Sequence, residues 1–172
     1  MGKKAYFFTA IGSLLLGSFF FKHNQFAKAE KLCPFCNDAV LEKQAFYEDD
    51  RVIALYNFKP ACKGHCLIIP KKHHTRFESL SEEELSRLGL AIQKVHKAAS
   101  TVFKTSSYML LQKNGNEVGQ SVPHIHIHYI PRKLGDRFQL IFFFKILLAH
   151  LLPQLSNHEM ETCKALMEKE IR

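Results

Sequence analysis

The sequence predicts an α+β fold: an antiparallel meander sheet covered by one long helix, with a second helix at the C-terminus. Three observations carry that prediction. Short β-rich runs recur between turn signals, most clearly Arg51-Val52-Ile53-Ala54-Leu55-Tyr56 and Cys66-Leu67-Ile68-Ile69. Ser81-Glu82-Glu83-Glu84 has the form of a capping box, Ser at the N-cap and Glu at N3. His124-Ile125-His126-Ile127-His128 alternates with the period of a strand.

The N-terminus stands apart from that fold. Lys3-Lys4 precede an uncharged stretch from Ala5 to Phe21, Lys22 closes it, and Ala27-Lys28-Ala29 follows. A positive start, an apolar middle and an A-x-A site read as a secretory signal peptide cut after Ala29. An uncleaved membrane anchor through residues 5–21 is the alternative, weakened by Gly12, Ser13, Gly17 and Ser18. Residues 1–29 are thus a signal peptide or anchor. The expected location is exported (periplasmic or secreted) or membrane-anchored, and cytoplasmic if the segment is not a signal. Residues 30–138 form the domain proper, and 139–172 extend it.

Ala45-Phe46-Tyr47-Glu48 and Arg51–Tyr56 read as two strands across the acidic turn Asp49-Asp50. Pro60 and Gly64 mark a loop, and Cys66–Ile69 is a strand ending at Pro70. After the capping box, Leu85, Leu88, Ile92, Val95, Ala99 and Val102 recur at helical spacing, which predicts one helix of about 20 residues. Tyr108–Gln112 returns as a strand and stops at Asn114-Gly115. The histidine strand pairs after it. Leu140–Leu152 is nearly all apolar but interrupted by Lys145 and His150, which favours burial in the core or a dimer over contact with a membrane surface. Ser156-Asn157-His158-Glu159 is a second capping box, opening a polar helix to about Glu170.

Composition narrows the classes. The 172 residues are 47% hydrophobic, which excludes wholesale disorder. The net charge of +8 is uneven: four lysines and no acid lie in residues 1–29. Without a long Lys/Arg run or a basic helix face, no nucleic-acid partner is implied. The mild positive charge suits an anionic, phosphate-bearing substrate. Alternating imidazoles, about 6 to 7 Å apart on one strand face, can bind metal, move protons or attack phosphorus near neutral pH. Cys33-Pro34-Phe35-Cys36 is open to three readings: zinc half-site, redox dithiol or disulfide. The redox reading expects a preceding strand, which Lys28–Lys31 does not provide. Five cysteines are an odd number, and Cys62, Cys66 and Cys163 are expected to act as small buried hydrophobes.

Two linked stretches resemble the histidine triad nucleotide-binding proteins. One is Asn114–Pro131, with Gly119-Gln120-Ser121 ahead of the three histidines. The other is Asn57–His73, with Lys63-Gly64-His65 and Pro70-Lys71-Lys72-His73. The resemblance covers roughly Lys31–Pro131 and, more loosely, the C-terminal helix. It implies that His126 attacks the α-phosphorus of a purine nucleotide to form a nucleotidyl-histidine, which water hydrolyses. It implies that His128 and His65 serve the same phosphate. Gln120 and Ser121 would contact phosphate and leaving group, Asn114 the phosphate or the loop, and Asn57 the ribose hydroxyls. The transferase branch has Gln where this chain has His128, so the resemblance implies a hydrolase of nucleoside 5′-phosphoramidates or dinucleoside polyphosphates. Alternatives are a nucleotide-binding scaffold with little turnover and a zinc-binding protein. The C-x-x-C branch implies a structural zinc on Cys33, Cys36, His73 and His124, with His74 a weaker substitute for His73. An oxidising compartment would favour a disulfide at Cys33 and Cys36 instead. A homodimer through the Leu85–Val102 helix and an edge strand is implied too. Most members are cytosolic, so residues 1–29 depart from the pattern.

Overall fold

Residue 33 leads into a 3-10 turn, Pro34–Cys36, and a short helix α1 (Asp38–Gln44). This computed structural model describes residues 33–133, 144 and 151–171. The signal or anchor expected of residues 1–29 lies outside them, as does most of the apolar stretch Leu140–Leu152. Among the described residues, no helix is long and apolar enough to cross a membrane. Helix α1 begins at Asn37, whose side chain accepts from the amides of Ala39 and Val40, a standard N-cap.

Five strands follow: β1 (Ala45–Glu48), β2 (Val52–Tyr56), β3 (Cys66–Pro70), β4 (Ser107–Gln112) and β5 (Ile127–Arg132). All pairings are antiparallel, in the order β1-β2-β3-β5-β4. The first three strands form the expected meander. The long helix α2 (Glu82–Phe103) then crosses to the far edge, and β4 and β5 fold back as a hairpin whose second strand docks on β3. The β1–β2 turn is held by Asp49, which accepts from the Arg51 and Val52 amides at 2.8 Å each.

Both capping boxes form. Ser81 and Glu84 exchange side-chain and backbone bonds at the start of α2, and Ser156 and Glu159 do so at the start of α3 (Asn157–Glu170). Helix α2 runs 22 residues and buries Leu88, Ala91, Val95, Ala98 and Ala99. Leu85, expected on that stripe, lies on the exposed side.

Strands β2 and β3 are buried along their whole length because both faces are covered. Val52, Ala54, Tyr56, Cys66 and Ile68 meet α2 and the α3 residues Met160 and Met167. Ile53, Leu55, Leu67 and Ile69 pack on the other face against Cys33 and Phe35. Each such apolar side chain removed from water is worth about 1.5–3 kcal/mol. Strand β5 divides by the same period of two. Ile127 and Tyr129 join the helix-side core, which turns His128 to the opposite face.

The histidine run differs from its expected form. The ladder starts only at Ile127, so His124, Ile125 and His126 lie outside it. The Ile125 amide instead donates to the His74 carbonyl at 2.7 Å. The first half of the run is pinned to the end of β3 and the segment after it, through the Pro70 and His74 carbonyls, and joins no strand ladder.

Candidate functional site

The first cluster forms where the 3-10 turn, the end of β3 and the start of the histidine run meet. One donor atom from each of Cys33, Cys36, His73 and His124 lies within 4.8 Å of the others. His124 Nδ1 is 3.4 Å from Cys33 Sγ and 3.5 Å from Cys36 Sγ, and His73 Nδ1 is 3.3 Å from Cys36 Sγ. The far nitrogen of His124 fixes its ring: Nε2–H donates to the Pro70 carbonyl at 2.9 Å. That bond leaves the Nδ1 lone pair facing the sulfurs, as in a metal ligand with an anchored second nitrogen. Burial pushes the His124 pKa down to about 4, so the ring is neutral, the form that ligates. Such a donor set could hold a metal ion. His74 is placed elsewhere: its Nε2 pairs with Glu84 at 2.8 Å and its Nδ1 meets Ser79 Oγ at 3.1 Å.

Next to this corner His65, His126 and His128 line a pocket of about 110 Å³. Gly64 places His65. Its φ of +86° suits glycine, and a Cβ there would lie 2.7 Å from the Phe103 ring and 2.8 Å from Pro131. The hydrogen bonds then order the protons. The Ala61 amide donates to His65 Nδ1 at 3.0 Å, which puts the His65 proton on Nε2. His65 Nε2–H donates to His128 Nδ1 at 2.9 Å, so the His128 proton sits on its own Nε2. The Asn57 side-chain nitrogen packs 3.2 Å from His65 Nε2, and Asn57 Oδ1 accepts from the Lys59 amide at 2.9 Å.

His126 is held differently. Its Nδ1–H donates to the His124 carbonyl at 2.7 Å, which leaves Nε2 with a lone pair. The rings of His126 and His128 lie 5.1 Å apart, closer than the spacing of a flat strand row. Burial lowers all three pKa values, His65 to about 4 and His128 to about 2, the latter helped by His65 and His126 beside it. At neutral pH the three rings are uncharged bases and neutral donors.

Of the loop residues singled out by sequence, Ser121 lines the pocket. Gln120 braces the loop: Oε1 accepts from the Gly115 amide at 2.7 Å, and Nε2 donates to the Thr75 and Val122 carbonyls at 3.0 and 3.1 Å. Asn114 ties the same loop to the segment before α2, accepting from the Phe77 amide at 2.9 Å and donating to Glu78 at 2.8 Å. Of the three remaining cysteines, Cys66 is buried as expected, while Cys62 and Cys163 are only partly so.

Two contributors escaped the sequence reading. Phe35 packs edge-on against both His124 and His126, with centroids 5.8 and 5.3 Å away, and so links the two clusters. Its position between the two cysteines was the available signal. Lys113 lines the histidine pocket. A single lysine ahead of Asn114-Gly115 carries no pattern that would mark it.

Comparison with known proteins agrees with this arrangement. The HIT domain family model matches residues 38–135. An uncharacterised HIT-like protein of Methanocaldococcus jannaschii is 36% identical over 109 residues, 61% of this chain and 82% of that protein. The asymmetrical bis(5′-nucleosyl)-tetraphosphatase of Schizosaccharomyces pombe is 38% identical over 93 residues, 54% of this chain and 51% of that protein. The chain therefore spans about half the length of that enzyme. Among solved structures, a Zn-bound histidine triad family protein from Mycobacterium smegmatis has a TM-score of 0.63 at 22% identity, covering 83% of this chain and 94% of that one. At that identity the fold alone is shared. Because the domain match takes in more than half of the residues, and includes the glycine-rich loop, His65 and all three alternating histidines, the chain belongs to the HIT family.

Proposed function

We propose that the chain is a nucleotide hydrolase that works through a nucleotidyl-histidine on His126. The observation that carries this reading is the bond from His126 Nδ1–H to the His124 carbonyl, beside the neutral His65–His128 pair. A nucleophilic imidazole needs one nitrogen unprotonated and the other stabilised as charge develops. His126 Nε2 attacks the α-phosphorus, the N–P bond forms, and the bond to the leaving group breaks with its electron pair. The ring's growing positive charge is met at Nδ1 by the His124 carbonyl. The His128 proton on Nε2 is available to a phosphate oxygen, and His65 holds it there. Water then attacks phosphorus, frees His126 and releases the nucleoside monophosphate, its proton passing to solvent. The S. pombe tetraphosphatase, aligned over half its length, supports a phosphoanhydride substrate. In this reading Ser121 touches phosphate, Gln120 and Asn114 hold the loop, and Asn57 faces both the ribose side and His65.

We also propose structural zinc on Cys33, Cys36, His73 and His124. Zinc bound at about 2.3 Å to sulfur and 2.0 Å to nitrogen, tetrahedrally, separates S and N donors by roughly 3.5 Å. The S···N distances of 3.3 to 3.5 Å lie at or just inside that value. No reaction step passes through it.

The test of the hydrolase is a paired assay with an adenosine 5′-phosphoramidate and a diadenosine polyphosphate. Release of AMP by the purified chain, lost in His126→Ala, is the expected result. Equal turnover in the variant refutes the nucleophile. Export or membrane tethering, proposed from residues 1–29, is tested by N-terminal sequencing: a start at Met1 or Gly2 refutes cleavage. A homodimer is proposed from β4, which lies at the edge of the sheet among the described residues and exposes Tyr108 and Leu110. Light scattering that gives a monomer refutes it.

A further inference from the structure

Lys113 follows the last residue of β4 and brings an ammonium to the histidine pocket. Its charge acts on both His126 and His128. The described residues lining the pocket include no carboxylate, and apart from the histidines Lys113 is the one ionisable side chain among them. Because burial keeps His65 and His128 neutral at pH 7, these two supply no positive charge to an incoming phosphate. Ala61, Leu111 and Ile130 give the pocket apolar walls, where a charge is felt more strongly than in water. The ammonium is loosely held. Its Nζ donates to the Gly119 carbonyl at 3.5 Å, a long bond that a phosphate oxygen could replace. Gly119 itself takes φ +75°, a left-handed conformation that suits glycine and turns its carbonyl toward Nζ.

We infer that Lys113 is a specificity-determining residue, which binds the anionic leaving group of a dinucleoside polyphosphate and disfavours amine leaving groups. This inference rests on the hydrolase reading and deepens it. When His126 attacks a polyphosphate, the bond between the α-phosphorus and the bridging oxygen breaks. The electron pair departs on that oxygen, as the terminal phosphate oxyanion of a nucleoside di- or triphosphate. An ammonium beside it is a stabilising counter-charge. When His126 attacks a phosphoramidate, the phosphorus–nitrogen bond breaks and the amine takes up a proton from water to leave neutral or cationic. A fixed cation in the same small pocket opposes that gain of positive charge.

The experiment compares wild type, Lys113→Gln and Lys113→Arg on diadenosine triphosphate and on adenosine 5′-phosphoramidate, with kcat and KM measured separately. Lys113→Gln is expected to lower kcat/KM for the polyphosphate about 10- to 100-fold, the range for losing one charge-assisted contact. Its effect on the phosphoramidate is expected to stay within about threefold or to be a gain, and Lys113→Arg to recover most of the polyphosphate activity. An equal loss on both substrates would assign Lys113 to loop structure and overturn the inference, as would no loss on either. A calorimetric arm separates this failure from failure of the hydrolase reading. If wild type turns over neither substrate, a methylene-bridged diadenosine triphosphate and AMP are titrated into wild type and Lys113→Gln. Weaker binding of the polyphosphate alone supports Lys113 as the polyphosphate contact without turnover, and equal affinities overturn it.

Discussion

His124 and His126 are two residues apart, both buried, both outside the strand ladder, and they meet different chemistry. His124 gives its Nε2 proton to the Pro70 carbonyl and turns Nδ1 to two thiols. His126 gives its Nδ1 proton to the His124 carbonyl and keeps Nε2 for the pocket. A backbone carbonyl thus decides which nitrogen of each ring is available, and the two rings become opposite tools. The first corner is closed, with four protein donors around one point. The second is an open pocket with a serine, a lysine and two more imidazoles. Phe35 touches both rings, so the two regions share a wall but no donor atom.

That separation can be broken by crossed variants. The largest effect is expected in His126→Ala, where AMP release from either substrate should fall at least about a thousandfold, as for loss of a covalent nucleophile. Its zinc content by elemental analysis should stay at wild-type level. Cys36→Ser should do the reverse: zinc is lost and Tm falls by roughly 10 °C, the loss expected when a ligand near a thousandfold above its Kd is removed. Turnover at a temperature well below the new Tm should persist, because no pocket group is a metal ligand. A Cys36→Ser protein that is folded but inactive would show that the corner and the pocket act as one site.

The smallest effect is a pH dependence. Unfolded histidine titrates near 6.5, whereas burial holds His65 at about 4. Between those values the unfolded chain binds more protons than the folded one, so stability falls as pH drops from 6.5 towards 4, and this contribution is fully lost below that. Above 6.5 the contribution is fully present. Hydrolysis should follow the same pair. With His65 and His128 neutral until well below pH 6, and the His126 pKa also lowered by burial, kcat/KM is expected to stay level from about pH 8 down to the free-imidazole value near 6.5 and to fall only below it. An inflection near 6.5 assigned to His65 by NMR would contradict the ordered, neutral His65–His128 bond.

Most of the frame was legible in the sequence because it depends on local chemistry. Ser81 and Glu84, and Ser156 and Glu159, specify helix starts by their own side chains, and both boxes form. The runs Val52–Tyr56 and Cys66–Pro70 could be placed as strands because both faces are buried. What failed to show was set by contacts distant in sequence. The His-Ile alternation predicts one strand, but the ladder begins only at Ile127 because the His74 carbonyl and the Pro70 carbonyl hold the first half. The sheet order is also tertiary: nothing local in Ser107–Gln112 places β4 beyond β5. Helix α1 was missed because seven residues are too few to show a period, although Asn37 caps it. In the site, Cys33, Cys36, His73 and His124 lie together, a set that the resemblance implied and that could hold a metal ion. The amide of Gln120, expected at phosphate, hydrogen-bonds three backbone groups, those of Gly115, Thr75 and Val122.

A nucleophilic His126 must pass through a state in which its Nε2 is bonded to phosphorus. The direct measurement is acid-free rapid quenching of the chain with excess diadenosine triphosphate, followed by peptide mapping by mass spectrometry at alkaline pH, where a phosphorus–nitrogen bond survives. A nucleotidyl adduct is expected on His126, formed within the first turnover and absent from His126→Ala. An adduct on His65 or His128, or AMP formed in a full turnover burst with no adduct on any histidine, would contradict it.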